Sequence, residues 1–234
     1  MIERAIVLAA GFGKRVLPLT NTTPKPLLKI NNASLLTNTL NFLKKFGVKH
    51  FAINTHHLGE QIENFIKSNK GIYDIKIFKE KEILGTGGGI RNALSFFQDK
   101  PFISINSDTI WSDEYLSPLK NLYKSFTKFN ANSGLLMIKR ENSFDKTLKG
   151  DFTIKSEPFL FRQAGDTNNL IFTGCQIINP ILLKDKKNEN FSIQPVWDEA
   201  ILYNKMVGEV AQNIFYHVTD LIIYEKLKKL DLIR

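Results

Sequence analysis

The sequence predicts an α/β fold, a mostly parallel sheet with helices on both faces. Three observations carry that expectation. Ala5 to Ala10 is an apolar run of the kind buried on both faces of a sheet. Strand and helix patterns alternate through the first half of the chain, which calls for crossover connections and so for parallel pairing. No internal repeat or low-complexity linker interrupts the 234 residues, so residues 1–234 are expected to form a single domain.

Ile2 to Ala10 reads as the first strand. Leu35 to Phe46 has the apolar face of an amphipathic helix, and Gly47 supplies its stop. His50 to Thr55 is a second strand, Leu58 to Asn69 a helix and Asp74 to Lys79 a third strand. Gly87 to Phe97 opens on glycines and continues as helix, and Pro101 to Asn106 is a strongly apolar fourth strand. Tyr115 to Lys128 reads as helix and Ser133 to Lys139 as strand. Residues 140–170 are polar, with apolar patches at Phe152 to Ile154 and Phe159 to Phe161 that suit short strands or a lid. Leu170 to Asn179 is another strand, and Phe191 to Tyr203 and Asp220 to Leu230 are expected to be helical. Ligands of such a sheet bind beyond the carboxyl ends of its strands. That rule sets Gly11, Asn54 to His57, Glu80 to Thr86 and Asn106 to Asp108 along one rim.

The net charge of +9 is compatible with an anionic partner. Its lysines fall in short groups such as Lys44-Lys45 and Lys226 to Lys229, with no nucleic-acid-binding signature, so small anionic substrates are expected and nucleic acid is not. The lone Cys175 excludes an intramolecular disulfide and a thiolate cluster, and its apolar surroundings predict a buried structural thiol. No apolar run approaches the ~20 residues of a membrane span, and no leader pattern opens the chain. A cytoplasmic protein without a membrane partner is expected, as monomer or homodimer.

The first strand empties into a turn with Gly11 and Gly13, followed by Lys14 and Arg15, and Lys25 stands between Pro24 and Pro26. Glycines let backbone N–H groups approach an anion and cations neutralise it, so this is a phosphate-handling loop. It is not a Walker loop, and Val16 stands where a dinucleotide fingerprint needs its third glycine, which disfavours an NAD-dependent oxidoreductase. A second glycine run, Leu84-Gly85-Thr86-Gly87-Gly88-Gly89, follows the third strand. Asp108, closing the fourth, is a hard oxygen ligand suited to a divalent cation. His56 and His57 read as rim residues pointing to opposite sides of an extended strand.

The string Leu8-Ala9-Ala10-Gly11-Phe12-Gly13-Lys14-Arg15, then Pro18-Leu19-Thr20 and Pro24-Lys25-Pro26-Leu27, resembles the opening motif of the sugar-1-phosphate nucleotidyltransferases. The resemblance implies a Rossmann-like sheet of glycosyltransferase A type and a Mg2+-dependent reaction. A nucleoside triphosphate and a sugar 1-phosphate would give a nucleotide-sugar and pyrophosphate. On that resemblance Leu8, Ala10, Gly11 and Gly13 would hold the nucleotide, and Arg15 would stabilise charge on the α-phosphate and leaving pyrophosphate. Lys25 would bridge the α-phosphate and the sugar phosphate. Loss of either cation is expected to cut turnover by orders of magnitude without unfolding the protein. Glu82, Gly85, Thr86 and Gly87 would line the nucleobase and sugar. Asn106 would bind substrate, with Asp151 in Gly150-Asp151-Phe152 and Thr173 and Gly174 in Phe172-Thr173-Gly174; a plain solvated turn is the alternative for Asp151.

The glycine segment most resembles N-acetylmuramate-1-phosphate uridylyltransferases of cell-wall recycling. Heptose- and mannose-1-phosphate guanylyltransferases have comparable segments, and a non-catalytic nucleotide-sugar-binding regulatory homologue is a further alternative. The departure lies near the C-terminus, where the family commonly has Trp-x-Asp-Val-Gly-Thr-Pro-Glu and its Asp is the second Mg2+ ligand. Here the chain reads Phe215-Tyr216-His217-Val218-Thr219-Asp220. Asp108 is the first metal candidate, and either Asp220 or His217 the second.

Overall fold

A computed structural model describes residues 2–162 and 167–233. In chain order its elements are β1 (Arg4–Leu8), the small hairpin β2 (Lys29–Ile30) and β3 (Ala33–Ser34), α1 (Leu35–Phe46), β4 (His50–Thr55), α2 (Gly59–Ser68), β5 (Asp74–Lys79) and α3 (Gly85–Asn92). There follow β6 (Phe102–Asn106), α4 (Leu116–Lys128), β7 (Ser133–Lys139), β8 (Thr153–Ser156), β9 (Phe159–Phe161), β10 (Leu170–Ile178), α5 (Gln194–Leu202), β11 (Met206–Ala211) and α6 (Leu221–Leu227).

Nine strands form one sheet in the order β5-β4-β1-β6-β10-β7-β11-β9-β8. β5, β4, β1 and β6 are mutually parallel. β10 runs antiparallel to both β6 and β7, β11 is parallel to β7, and the β8–β9 hairpin closes the far edge in antiparallel fashion. Side chains alternate across the sheet, as a period of two demands. Ala5, Val7, Phe51, Ile53, Leu136 and Ile138 face one core with Leu40, Ile62 and Leu122 of α1, α2 and α4. Ile6, Ala52, Leu135 and Met137 face the other with Ile90 of α3 and Trp197 of α5.

Local chemistry sets the helix boundaries. Ser34 accepts from the N–H of Thr37 to cap α1, and Gly47, at φ 117°, ends it in the left-handed conformation that glycine adopts without strain. The expected helix over Gly87 to Phe97 starts two residues earlier and gives way to a 3-10 turn at Leu94–Phe97. Its glycines are poor helix formers, but tertiary packing overrides that: a Cβ on Gly88 would lie 2.2 Å from the Glu189 carbonyl oxygen. Of the two alternatives for residues 140–170, the described residues show the short strands. The two apolar patches pair as β8 and β9 at the sheet edge, and residues 163–166 of that stretch lie outside the described residues.

β11 is the strand of the main sheet that the sequence pattern leaves out. It holds Gly208 and Glu209 in six residues, yet pairs with β7 along its length, and Gly208 makes room for Leu160 of β9. β10 carries an irregularity between Phe172 and Gln176, centred on Gly174 at φ 90°.

A third apolar cluster joins Val16, Leu28 and Ile30 to Val218, Tyr224 and Leu227, so α6 packs on the arm of residues 14–34. The Tyr224 hydroxyl donates to the Lys29 carbonyl. Asn31 donates to the Leu230 carbonyl and accepts from the N–H groups of Leu232 and Ile233. Among the described residues no helix is long and apolar enough to cross a membrane.

Candidate active site

The carboxyl ends of β1, β4, β5 and β6 open into a cavity of about 360 Å³. Leu8, Ala10, Gly11, Gly13, Arg15 and Lys25 line it together with Gly85, Thr86, Asn106 and Asp108. Most of the expected site residues therefore converge on one space, from four separate stretches of chain.

The glycine turn has a specific steric requirement. Gly13 sits at φ 65°, and a Cβ there would come within 2.8 Å of Thr20 Cγ2. Thr20 Oγ1 donates to the Gly13 carbonyl, and the Thr20 carbonyl meets His57 Nε2 at 2.8 Å. His56 and His57 lie in the turn beyond β4 instead of on an extended strand, and both rings pack against Phe12 at 5.5 Å. Their expected separation to opposite sides does not occur, because the turn swings both toward the same aromatic ring.

Lys25 is held in a short 3-10 turn, with its ammonium nearly buried and donating to Asp108 Oδ2 at 2.7 Å. Asp108 follows β6; its carbonyl accepts from Val218 N–H, and Ser107 Oγ donates to the Leu8 carbonyl. Burial alone would raise the Asp108 carboxyl, but the charges of Lys25 and His217 outweigh it and hold it well below the usual carboxylate range. Its second oxygen, Oδ1, is buried and has no hydrogen-bond partner. Arg15 stands exposed at the cavity mouth.

The two metal candidates separate clearly. His217 Nε2 lies 3.2 Å from Asp108 Oδ1, and Thr109 and His217 form an antiparallel bridge. Asp220 instead caps α6, accepting from the N–H of Ile223. Among the described residues no group of three or more His, Cys, Asp or Glu side chains gathers in metal-binding fashion.

The structure brings in a carboxylate that the motif reading passed over. Glu80, not Glu82, lines the cavity; Glu82 is exposed and stands outside it. Ala9 N–H donates to Asn54 Oδ1, Asn54 Nδ2 to Glu80 Oε1, and Leu84 N–H to Glu80 Oε2. This buried relay ties the end of β1 to the second glycine run. A Cβ on Gly89 would press on both Asn54 Nδ2 and Glu80 Oε1, within 2.7 and 2.8 Å, so the glycine admits the relay. The sequence signal for Glu80 is its place directly after the third strand.

Gly87, Asp151, Thr173 and Gly174 are not among the residues lining the cavity. The Gly87 N–H donates to the Phe191 carbonyl, and the Phe191 ring fills the space of a Gly87 side chain. Asp151 accepts from Phe172 N–H. Thr173 is buried and donates to the Leu136 carbonyl, which fixes the β10 irregularity. Gly174 lets Asn106 approach within 2.9 Å of where its Cβ would be. Cys175 is fully buried, and burial pushes its thiol up, as expected of a structural residue.

Enzymes that hold nucleotides at the carboxyl edge of an α/β sheet share this layout. Residues 4–145 match the nucleotidyl transferase family. The chain belongs to that family, among the sugar-1-phosphate nucleotidyltransferases that its opening motif resembles. It is 26% identical over 221 residues to an N-acetylmuramate alpha-1-phosphate uridylyltransferase of Caulobacter vibrioides, covering 92% of this chain and 91% of that one. It is 31% identical over 189 residues to a D-glycero-alpha-D-manno-heptose 1-phosphate guanylyltransferase of Campylobacter jejuni, covering 78% and 81%. The fold is similar to that of a UDP-glucose pyrophosphorylase solved with UDP-glucose, with a TM-score of 0.79, 20% identity and 98% of each chain covered.

Proposed function

We propose that the protein transfers a nucleoside monophosphate from a nucleoside triphosphate to a sugar 1-phosphate, with UTP and N-acetylmuramate 1-phosphate, or a related hexose 1-phosphate, as its substrates. The observation that carries the reaction is the Lys25–Asp108 pair on the wall of a cavity that Gly11, Gly13 and Arg15 also line. The choice of substrates is supported by the likeness to the Caulobacter uridylyltransferase along nearly the whole chain. The likeness to the Campylobacter guanylyltransferase supports GTP with a heptose or mannose 1-phosphate as the second reading.

The chemistry asks little of a base, because the sugar phosphate is already a nucleophile. One of its oxygens attacks the α-phosphorus, a new P–O bond forms, and the bond to the β-phosphate oxygen breaks to release pyrophosphate. The obstacle is repulsion between two anions and charge build-up on the attacked phosphorus. Backbone at Gly11 and Gly13 cradles the triphosphate, Arg15 meets charge growing on the leaving pyrophosphate, and Lys25 offsets repulsion between the two reacting phosphates. The relay through Asn54 and Glu80 keeps the phosphate turn and the base-binding run in fixed relation.

Asp108 Oδ1, buried and without a hydrogen bond, fits a hard divalent cation. Asp108 would hold that ion, Mg2+ by family resemblance, and when bound it would supply Lewis-acid neutralisation of phosphate charge. Retention of Arg15, Lys25 and Asp108 argues for a working enzyme over a binding-only homologue.

The test is pyrophosphate release with UTP, GTP, dTTP and CTP against N-acetylmuramate, mannose and heptose 1-phosphates. The fastest release is expected for UTP with N-acetylmuramate 1-phosphate. Fastest release with GTP transfers the assignment to the second reading, and no release by folded protein with any pair overturns both.

A further inference from the structure

The second glycine run reads from the sequence as backbone bared for a ligand, yet of its residues only Gly85 and Thr86 line the cavity. Gly87, Gly88 and Gly89 are buried instead. A later segment of the chain lies against them, and we infer that residues 186–193 are a positioning strap that holds the nucleotide-binding run in shape. The inference rests on the nucleotidyl-transfer reading above and concerns what keeps the nucleotide end of that site in place.

The strap follows α3 from end to end. At the far end of the helix Arg91 Nε donates to the Lys186 carbonyl at 2.7 Å, and Asn188 Nδ2 to Asn92 Oδ1 at 3.2 Å. At the near end the Gly87 and Gly88 N–H groups both donate to the Phe191 carbonyl, and the Phe191 N–H donates to the Leu84 carbonyl. The first N–H groups of a helix have no partner within it, and one strap carbonyl serves two of them.

The residues that this stretch lends to the cavity, Ile83, Gly85 and Thr86, are each held by the strap. Asn190 Nδ2 donates to the Ile83 carbonyl at 2.6 Å, and the Ile193 N–H to Thr86 Oγ1 at 3.0 Å. Gly85 sits at φ 69°, and a Cβ there would lie 2.8 Å from the Phe191 carbonyl oxygen. None of residues 186–193 lines the cavity, so the strap acts through the run it holds.

Packing against the strap accounts for the buried glycines. A Cβ on Gly87 would meet Phe191 Cε2 at 2.3 Å, and one on Gly88 would meet the Glu189 backbone. The strap leads into α5, where Trp197 Nε1 donates to Gln176 Oε1 of β10 at 2.8 Å and anchors it to the sheet.

The experiment compares wild type with Asn190→Ala and Gly88→Ala in the full chain with Mg2+. It reads UTP and GTP affinity by calorimetry, KM for each substrate and amide exchange by NMR. Slow exchange at Gly87 and Gly88 is expected in wild type. Asn190→Ala, at an exposed position, should raise the nucleotide Kd about threefold or more, with the KM for the sugar 1-phosphate unchanged at saturating nucleotide. Gly88→Ala, which would stabilise a free helix, should instead lower the melting point and weaken nucleotide binding further. Fast exchange at both glycines in wild type, or an unchanged Kd in Asn190→Ala, overturns the inference and leaves the transfer reading standing. A nucleotide Kd and a sugar KM that rise together overturn it as well, because they mark general loosening. No nucleotide binding or no pyrophosphate release by folded wild type overturns both. If Gly88→Ala does not fold, Asn190→Ala decides alone.

Discussion

The two sides of the sheet meet at Asp108 and build the site by different means. On the side of β5, β4, β1 and β6, every strand is parallel, so their carboxyl ends align and the loops leaving them share one rim. On the side of β10, β7, β11, β9 and β8, pairing is mixed, with β11 parallel to β7 and the other pairs antiparallel, so the strand ends do not align on one rim. That side reaches the cavity's edge through a returning segment, Phe215 to Asp220, pinned to Thr109 by one bridge and to the arm by α6. Parallel pairing makes site residues readable from strand ends, whereas the returning segment has to be located in space.

The largest effect expected from breaking this division comes from its junction. Lys25→Ala removes a cation from the phosphates and leaves the Asp108 carboxylate with His217 alone. Turnover should fall by about 10²- to 10³-fold, and breaking the buried pair should cost about 3 kcal/mol, read as a melting point lower by roughly 6–12 °C. The variant should still fold, at a lower melting point. Arg15→Ala, at an exposed position, should show the kinetic loss with an unchanged melting point. Equal melting behaviour of the two variants would contradict a stabilising Lys25–Asp108 pair.

A middling effect belongs wholly to the parallel side. Asn54→Ala leaves the Ala9 N–H and Glu80 Oε1 without their partners, costing about 1–3 kcal/mol. It should also raise KM for the nucleotide, while Glu82→Gln should leave kcat/KM within about twofold of wild type. A larger kinetic loss in Glu82→Gln than in Asn54→Ala would restore Glu82 to the site.

The smallest effect lies on the returning segment. Asp220→Ala removes a helix cap and should cost about 1 kcal/mol with kcat unchanged, which thermal unfolding and steady-state rates would measure together. A drop in kcat as large as that of Arg15→Ala would return Asp220 to the metal site.

Legibility in the sequence followed the same division. α1, β4, β5 and β7 occupy the spans that periodicity and turn residues predict, because each is a regular element with a marked boundary. The glycine turn and Asp108 were legible because each lies next to a strand end, and Lys25 because it stands between Pro24 and Pro26 in the opening motif. β11 was hidden because a six-residue strand with Gly208 and Glu209 owes its state to its neighbours. Glu80 was placed on the rim but not among the named candidates, because local spacing does not distinguish it from Glu82; only the fold brings Asn54 next to one of them. The choice between His217 and Asp220 needed the register of a single bridge and the N-terminus of α6.

The bonds from Asn31 to Leu230, Leu232 and Ile233 have a practical bearing on handling the protein. They clip residues 230–233 to the arm that presents Arg15 and Lys25, so proteolysis between α6 and Ile233 would cut the strap that keeps that arm in place.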